Sequence, residues 1–225
     1  MVEAFAIGAM AGSTLVAGAI IALAAGIDRR ILGLFLGFGA GVLLAAVAYE
    51  LALEAFETAP RSAGPALGFA AGVAVFTLGS IAIDRAGGGG RMDIGGGPGR
   101  GVTLAIVLGI VLDGVPESAV LGMTLTEGGV SAAVLLAVLL SNLPEGVVAT
   151  AGLRRDGHRP RAILVLWTAI ALAGGLAAAL GYAALDGASP GVVSFVLAFA
   201  GGAILAMLAD AMMPEAFGEG GRWAG

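Results

Sequence analysis

The chain is organised as seven apolar stretches, each close to the length that an α-helix needs to cross a bilayer. They cover approximately residues 4–27, 31–56, 63–84, 101–124, 130–153, 161–184 and 190–217. Hydrophobic residues make up 59% of the chain and charged residues 12%, whereas soluble domains average roughly half and a quarter. Only helices and closed barrels satisfy the backbone inside a membrane, and about 20 apolar residues suit a helix. The sequence therefore predicts one all-α domain, residues 1–225, folded as a polytopic bundle of about seven transmembrane helices.

The arginine residues predict how this bundle is oriented in the membrane. All eleven basic residues are arginine, and the predicted loops place ten of them on one side and Arg61 on the other. Basic loops face the cytoplasm, so the N-terminus is predicted outside and the C-terminus in the cytoplasm. A Gly-rich loop at residues 85–100 then lies in the cytoplasm between the third and fourth predicted helices. It lacks the Lys-Ser/Thr ending of a phosphate-binding loop, so a phosphate site is not expected there.

Two of the predicted helices are similar in sequence. Residues 38–56 (FGAGVLLAAVAYELALEAF) and 199–217 (FAGGAILAMLADAMMPEAF) are identical at eight of nineteen positions, including the final Glu-Ala-Phe. The arginine distribution makes these helices run in opposite directions, which indicates an inverted repeat relating helices 1–3 to helix 6 onward. Inverted repeats are typical of secondary transporters and enclose the substrate site. Chance similarity between two Ala- and Gly-rich helices is the alternative. No eighth apolar run follows within these residues.

The fourth and fifth apolar stretches are interrupted by two similar polar segments, residues 112–118 (LDGVPES) and 140–146 (LSNLPEG). A carboxylate at this depth costs about 2.5–3.5 kcal/mol even on lenient insertion scales, so it is functional by default. Pro116 and Pro144 each remove a backbone donor and free a carbonyl oxygen one turn earlier. Two such segments predict a cation pathway in which two carboxylates meet inside the membrane.

Side-chain spacing brings the candidate ligands onto two helix faces. Asp113 and Glu117 are four residues apart, Asn142 and Glu145 are three apart, and Ser141 lies four before Glu145. Oxygen ligands of this kind suit Mg²⁺, Ca²⁺ and Mn²⁺, and less exclusively Zn²⁺ or Fe²⁺. The alternatives are protonated, hydrogen-bonded carboxyl groups that only pack helices, and a serine that bonds its own backbone.

Two further acidic pairs are candidates for the ends of the pathway. Glu50 and Glu54 lie near the outer end of the second predicted helix, and Asp210 and Glu215 lie near the inner end of the seventh. They can attract a cation on its way in and on its way out. The alternative is that residues near helix ends are solvated at the membrane surface.

These residues resemble the ZIP (Zrt-, Irt-like) family of divalent-metal transporters. Its fourth and fifth helices carry motifs close to His-Asn-x-Pro-Glu-Gly, which read DGVPES from Asp113 and SNLPEG from Ser141 in this chain. The Glu-Ala of the second helix (Glu54) and the Pro-Glu-Ala of the seventh (Glu215) are also similar. The resemblance covers nearly the whole chain.

Membership would imply eight helices, a binuclear metal site between helices 4 and 5, and elevator-like movement of helices 1, 4, 5 and 6. The shared site glutamates correspond to Glu117 and Glu145, the usual histidines to Asp113 and Ser141, and the second-site positions to Gly114 and Asn142. Oxygen ligands in place of imidazole favour harder ions than zinc, and the lost second-site ligands favour one metal. The chain thus differs from the family at the positions that select the metal.

The predicted function is transport of a divalent cation of the zinc, iron or manganese class into the cytoplasm. The cation is the substrate, and the expected metal ligands are Asp113, Glu117, Ser141, Asn142 and Glu145. A transport-inactive ZIP-like protein with a binding or regulatory role is the alternative. An intramembrane enzyme would need a set such as a His-Glu-x-x-His stretch or a Ser/His pair, and it is not expected because the one histidine, His158, lies in a loop. The expected location is a plasma membrane of bacterial type, the expected partners are the bilayer and the cation without nucleic acid, and a homodimer is allowed.

Overall fold

A computed structural model describes residues 1–25, 28–83, 85, 114, 117–123, 125 and 132–224 of the chain. Within these residues the regular secondary structure is helical and no strand occurs. The helices are α1 (Val2–Ala24), α2 (Arg29–Thr58), α3 (Gly64–Ile83), α4 (helical residues 117–123), α5 (Ala132–Arg155), α6 (Pro160–Leu185) and α7 (Pro190–Trp223).

Six of these helices, all except α4, are long and apolar enough to cross a membrane. The predicted all-α transmembrane bundle is confirmed, and the predicted spans agree with these helices apart from small shifts at their ends. Of the fourth predicted span, residues 101–124, the structure describes the helical residues 117–123 in α4, with Gly114 before them. The predicted Gly-rich loop at 85–100 lies outside the described residues apart from Arg85.

Local sequence signals explain where several helices begin. The Asp28 side chain accepts a hydrogen bond of 2.8 Å from the Arg30 backbone N–H and caps α2. Proline occupies the first turn of α6 and of α7, where its missing N–H has no helical partner to lose. Gly157 and Gly187 adopt positive φ in the turns before those prolines.

Small residues allow the helices to approach closely, as is usual in membrane bundles. A methyl group at Gly8 of α1 would lie 2.6 Å from the Ala178 Cβ of α6, and one at Gly12 would lie 2.6 Å from the Ala171 Cα. These contacts show that α1 and α6 pack antiparallel. Two groups of helices result, with α1, α5 and α6 in one and α2, α3 and α7 in the other, and they meet mainly through α2 and α5.

The two helices of the sequence repeat share an unusual feature. Each changes from α- to π-helical geometry, over Val47–Ala52 in α2 and over Leu208–Met212 in α7. In the repeat alignment Val47 corresponds to Leu208, so both π segments begin at equivalent positions. The helices also run antiparallel, because Gly33 near the start of α2 contacts Gly220 while Leu51 near its end lies beside Gly201. The structure therefore agrees with an inverted relation between these two helices.

Candidate metal centre

The polar face of α5 lies inside the bundle. Ser141, Asn142 and Glu145 are 0%, 6% and 2% exposed, and they share this face with buried Pro144 and Gly146. Polar side chains are rarely buried this completely without a structural or functional reason. The predicted polar segment of the fifth helix is thus placed in the core.

Pro144 lies within α5, and the helix continues through it. A proline has no backbone N–H, so the carbonyl of Leu140, one turn earlier, loses its normal helical donor. A methyl group at Gly39 of α2 would lie 3.3 Å from this Leu140 oxygen and 3.2 Å from the Ser141 Cα. A carbonyl oxygen with spare acceptor capacity is therefore held where α2 and α5 meet.

Helix α1 fixes the other side of this face. The Asn142 side-chain Nδ2 donates a hydrogen bond of 3.2 Å to the Ala11 carbonyl. One turn later, a methyl group at Gly146 would lie 2.9 Å from the Leu15 Cα, so glycine permits the close approach of α1. Gly146, the glycine that follows the Pro-Glu pair, thus has a packing role. Because the Asn142 Nδ2 is used in the hydrogen bond to Ala11, the amide oxygen of Asn142 is the atom that could bind a cation.

Ser141 has a hydrogen bond within its own helix. Its hydroxyl donates to the Val138 carbonyl at 3.1 Å, as one of the sequence alternatives allowed. The hydroxyl lone pairs remain capable of binding a cation. Nearby, the Met212 side chain of α7 and Gly39 of α2 pack together, so three helices converge on this level of the bundle.

The second candidate carboxylate, Glu117, is also buried. It is 1% exposed and is the first described residue of α4. The adjacent Ser118 lies close to α6, 2.9 Å from a methyl group placed at Gly174. Val120 and Leu121 of α4 belong to the same apolar cluster as Val138 of α5. Both glutamates are therefore buried, and apolar residues that follow each of them belong to the same hydrophobic cluster.

The predicted ligand set is only partly within the described chain. Asp113 and Pro116 lie outside the described residues. Among the residues that are described, no group of three or more His, Cys, Asp or Glu side chains could hold a metal ion. The described part of the candidate centre consists of two glutamates, an asparagine, a serine and the backbone carbonyl of Leu140, which Pro144 leaves without its helical donor. We call this set the polar centre; its residues are Glu117, Leu140, Ser141, Asn142 and Glu145.

The four peripheral acids, Glu50, Glu54, Asp210 and Glu215, lie at a different kind of position. Asp210 is exposed and the other three are half-buried, and Glu50 and Asp210 belong to the two π segments. Ser80 of α3 donates a hydrogen bond of 2.5 Å to the Asp210 Oδ2. The sequence interpretation did not include Ser80; a serine near the end of an apolar helix was the available signal.

A cavity of about 240 Å³ lies beside the polar centre, between α1, α2 and α5. Its walls are apolar side chains that include Phe35, Leu143 and Pro144. The cavity therefore offers no cation ligand, and the candidate centre stays confined to the polar face of α5 and to Glu117.

The sequence around the polar centre carries acidic residues but no basic ones. Residues 101–153 contain the two buried glutamates and no Arg, Lys or His. The basic residues lie outside the apolar runs or, as for Arg161, at the end of one. One of them, Arg29, forms an ion pair of 3.6 Å between its Nη1 and the Glu219 Oε1. Burying a charged carboxylate costs several kcal/mol unless a cation or a proton compensates it, so the polar centre is suited to attract a cation.

No known protein family matches this sequence, and no curated protein matches it.

Proposed function

We propose that this multi-pass membrane protein is a ZIP-type transporter, and not an enzyme, that moves a divalent metal cation into the cytoplasm. The observation that carries the proposal is the burial of Glu117 and Glu145, which are both almost fully enclosed in a bundle of long apolar helices. Buried carboxylates within a membrane mark ion or proton pathways. The resemblance of the surrounding motifs to the ZIP family supports a metal over other ions.

The ligand chemistry points to a hard or borderline cation. Carboxylate, amide, hydroxyl and carbonyl oxygens favour Mn²⁺ and Fe²⁺ relative to the nitrogen- and sulfur-rich sites that select zinc. Asp113, which aligns with a ZIP histidine, would add a third carboxylate. We therefore propose the zinc, iron and manganese class as substrate, with Mn²⁺ or Fe²⁺ preferred over Zn²⁺.

The packing of the helices supports a transport cycle with two moving bodies. The extensive contacts of α1 with α5 and α6 make one group, and those of α7 with α2 and α3 make the other. The polar centre belongs to the first group and faces the second through the α2–α5 contact. Movement of the first group, as the family resemblance implies, would carry the cation across the membrane. The proposed direction is inward, toward the side on which the arginine residues place the C-terminus.

A transport-inactive, metal-binding or regulatory protein is the second candidate. The observation in its favour is that Ser141 and Asn142 already donate hydrogen bonds to the backbone carbonyls of Val138 and Ala11. Side chains held this way can have a purely structural role in joining helices. This candidate differs from the first by binding no metal or by binding metal without moving it.

Uptake into proteoliposomes tests the proposal. Purified protein is reconstituted in liposomes loaded with a metal-sensitive dye, and Mn²⁺, Fe²⁺ and Zn²⁺ are added outside. Glu117→Gln and Glu145→Gln keep side-chain size and remove the charge, so we expect each to lower uptake by about 100-fold, the upper end of the roughly 10–100-fold range typical of outer-sphere partners.

The matched control is Glu57→Gln, which makes the same chemical change at an exposed position near the end of α2. Uptake should be unchanged in this variant. Equal uptake by wild type and both buried variants would contradict a carboxylate pathway, and calorimetric metal binding without uptake would favour the second candidate.

A further inference from the structure

The turn between α5 and α6 is a concentrated region of positive charge. Residues 154–161 read RRDGHRPR, and we call this segment the basic turn. It holds four of the eleven arginines against one aspartate, so with its histidine neutral its net charge is +3, while that of the whole chain is −5. All four arginine residues are exposed; they are Arg154, Arg155, Arg159 and Arg161. The basic turn therefore presents a strongly positive surface to its surroundings.

Hydrogen bonds fix the backbone of the basic turn. The His158 N–H donates to the Leu153 carbonyl at 3.1 Å. The Gly157 N–H donates to the Arg154 carbonyl, also at 3.1 Å. These two bonds form the Schellman motif that ends a helix, and Gly157 adopts the positive φ, 84°, that the motif requires. Because α6 already begins at Pro160, the arginines extend from two helix ends and the short link between them.

The lengths of α5 and α6 place the basic turn at the membrane surface. The two helices have 24 and 26 residues, which corresponds to about 36 Å and about 39 Å at about 1.5 Å per residue. The hydrocarbon core of a bilayer is about 30 Å thick, so the ends of such helices reach the headgroup layer. Leu153 and Ile163, near the two ends of the turn, are each 1% exposed in the apolar cluster shared by α1, α5 and α6. The arginines therefore lie where the apolar packing ends.

The positive charge of the neighbouring helix ends is partly compensated. The start of α2 follows α1 on the same side of the bundle, and the end of α7 packs against it. There Arg29 forms its ion pair of 3.6 Å with Glu219, and Asp28 lies close to Arg30 in the sequence. Among the described residues on this side, the basic turn is thus the surface that attracts anions most strongly.

The Gly-rich segment that the sequence places on the same side has the same sign of charge. Residues 86–100 contain two arginines and one aspartate. The charge of this segment therefore does not complement that of the basic turn.

The headgroups of anionic phospholipids match this surface in charge and position. They lie in the same layer of the membrane as the basic turn, and each presents a phosphate group. A guanidinium group can bind a phosphate through two parallel hydrogen bonds. Basic segments beside membrane spans are attracted to the anionic lipids of the cytoplasmic leaflet, and the arginine distribution predicts the turn on that side.

We propose that the basic turn binds the headgroups of anionic phospholipids, with its four arginines contacting lipid phosphate groups. Because the turn joins α5 to α6, the bound lipids contact the helix group that also contains α1. The alternative is that these arginines only orient the protein during insertion, which requires no preference among lipids in the folded protein. The proposal does not depend on the transport of a cation.

Spin-labelled lipids test the proposal on the whole protein. Purified protein is reconstituted in phosphatidylcholine vesicles that contain spin-labelled phosphatidylglycerol or spin-labelled phosphatidylcholine. Electron paramagnetic resonance then measures the fraction of each label held at the protein surface, and the ratio of the two association constants is the anionic selectivity. The wild type should prefer phosphatidylglycerol at about 0.05 M salt, and the preference should decrease at about 0.5 M salt because of screening. A wild type without preference at low salt would overturn the proposal.

Neutralising the basic turn should remove most of the selectivity. The test variant carries Arg154→Gln, Arg155→Gln, Arg159→Gln and Arg161→Gln. The matched control removes four exposed arginines from the other helix group through Arg29→Gln, Arg30→Gln, Arg85→Gln and Arg222→Gln. We expect the selectivity to fall by about fivefold or more in the test variant and by less than about twofold in the control.

Two outcomes would contradict this assignment. Unchanged selectivity in the test variant would overturn the proposal, and an equal loss in both variants would show a general effect of charge and overturn it as well. Thermal unfolding in detergent checks that both variants are folded. The double variant Arg159→Gln/Arg161→Gln, which should lose an intermediate part of the selectivity, replaces the test variant if that protein does not fold.

Discussion

The polar centre and the four peripheral acids contain the same chemical groups in opposite surroundings. Glu117 and Glu145 are almost fully buried among apolar side chains, whereas Asp210 is exposed and Glu54 and Glu215 are half-buried near helix ends. A buried charge interacts strongly with a nearby cation, while an exposed one is screened by water and salt. In the proposed transporter, this difference would place selection of the cation at the centre and only attraction of the cation at the periphery.

The largest effect is expected where the centre depends on close helix packing. Gly146→Leu forces a side chain into α1, where even a methyl group would lie 2.9 Å from the Leu15 Cα. Overpacking of a core typically costs about 1–3 kcal/mol, and backbone cannot yield as a side chain can. We expect thermal unfolding in detergent to show a large loss of stability or no folded protein. Gly218→Leu, at an exposed position, should unfold like the wild type. Equal stability of Gly146→Leu and Gly218→Leu would contradict the close packing of α1 against Gly146.

Lowering the pH should reduce uptake through the centre. Metal ligands must be deprotonated, so protons compete with the cation and its affinity falls as the pH falls. Uptake at limiting metal should drop several-fold between about pH 7.5 and about pH 5.5, and saturating metal should restore it. Initial rates at both pH values and two metal concentrations measure this competition. Uptake that rises on acidification would indicate that a proton drives transport instead.

Asn142→Ala separates structure from function within the centre. The variant loses the hydrogen bond to the Ala11 carbonyl, which in membrane proteins is worth about 0.6 kcal/mol on average. It also loses an amide oxygen that could bind the cation. We expect a small decrease in unfolding temperature together with an uptake loss of about tenfold, in the range seen for supporting groups of metal sites. A loss of stability with unchanged uptake would make Asn142 purely structural.

The peripheral acids should give smaller effects that depend on salt. Glu54→Gln and Glu215→Gln occupy equivalent positions of the repeat, and each removes a half-buried charge near a helix end. Both should raise the KM for the cation by about two- to threefold at low ionic strength and less at high salt, as expected for electrostatic attraction. Uptake assays at two salt concentrations distinguish this from a lost ligand, which would be insensitive to salt.

The smallest effect is expected for Ser141→Ala. The hydroxyl donates within its own helix to Val138, so its removal leaves no charged group without compensation. Uptake should stay within about twofold of wild type, because such local serine hydrogen bonds add little to a helix. A loss as large as that of Glu145→Gln would show that the serine is a ligand and would enlarge the centre.

Much of the bundle could be predicted because its signals are local. The lengths of the apolar runs predicted seven spans, and six of the described helices are long and apolar enough to cross a membrane. Asp28, Pro160 and Pro190 explain where helices begin. The role of Gly146 could not be predicted in this way, since a glycine after a Pro-Glu pair is equally compatible with a flexible turn. Only the approach of Leu15 from α1 explains it. The partnership of Ser80 with Asp210 likewise joins residues that are distant in sequence.

The sequence alone determined that this protein is a helical membrane bundle with acidic groups at membrane depth and a repeated helix. These properties follow from composition and spacing, because the bilayer admits few backbone structures and makes each polar residue conspicuous. Tertiary structure decided which acidic groups are enclosed and that α2 and α7 run antiparallel with matching π segments. Such outcomes depend on which helices approach one another, and small residues such as Gly146 permit an approach without specifying the partner.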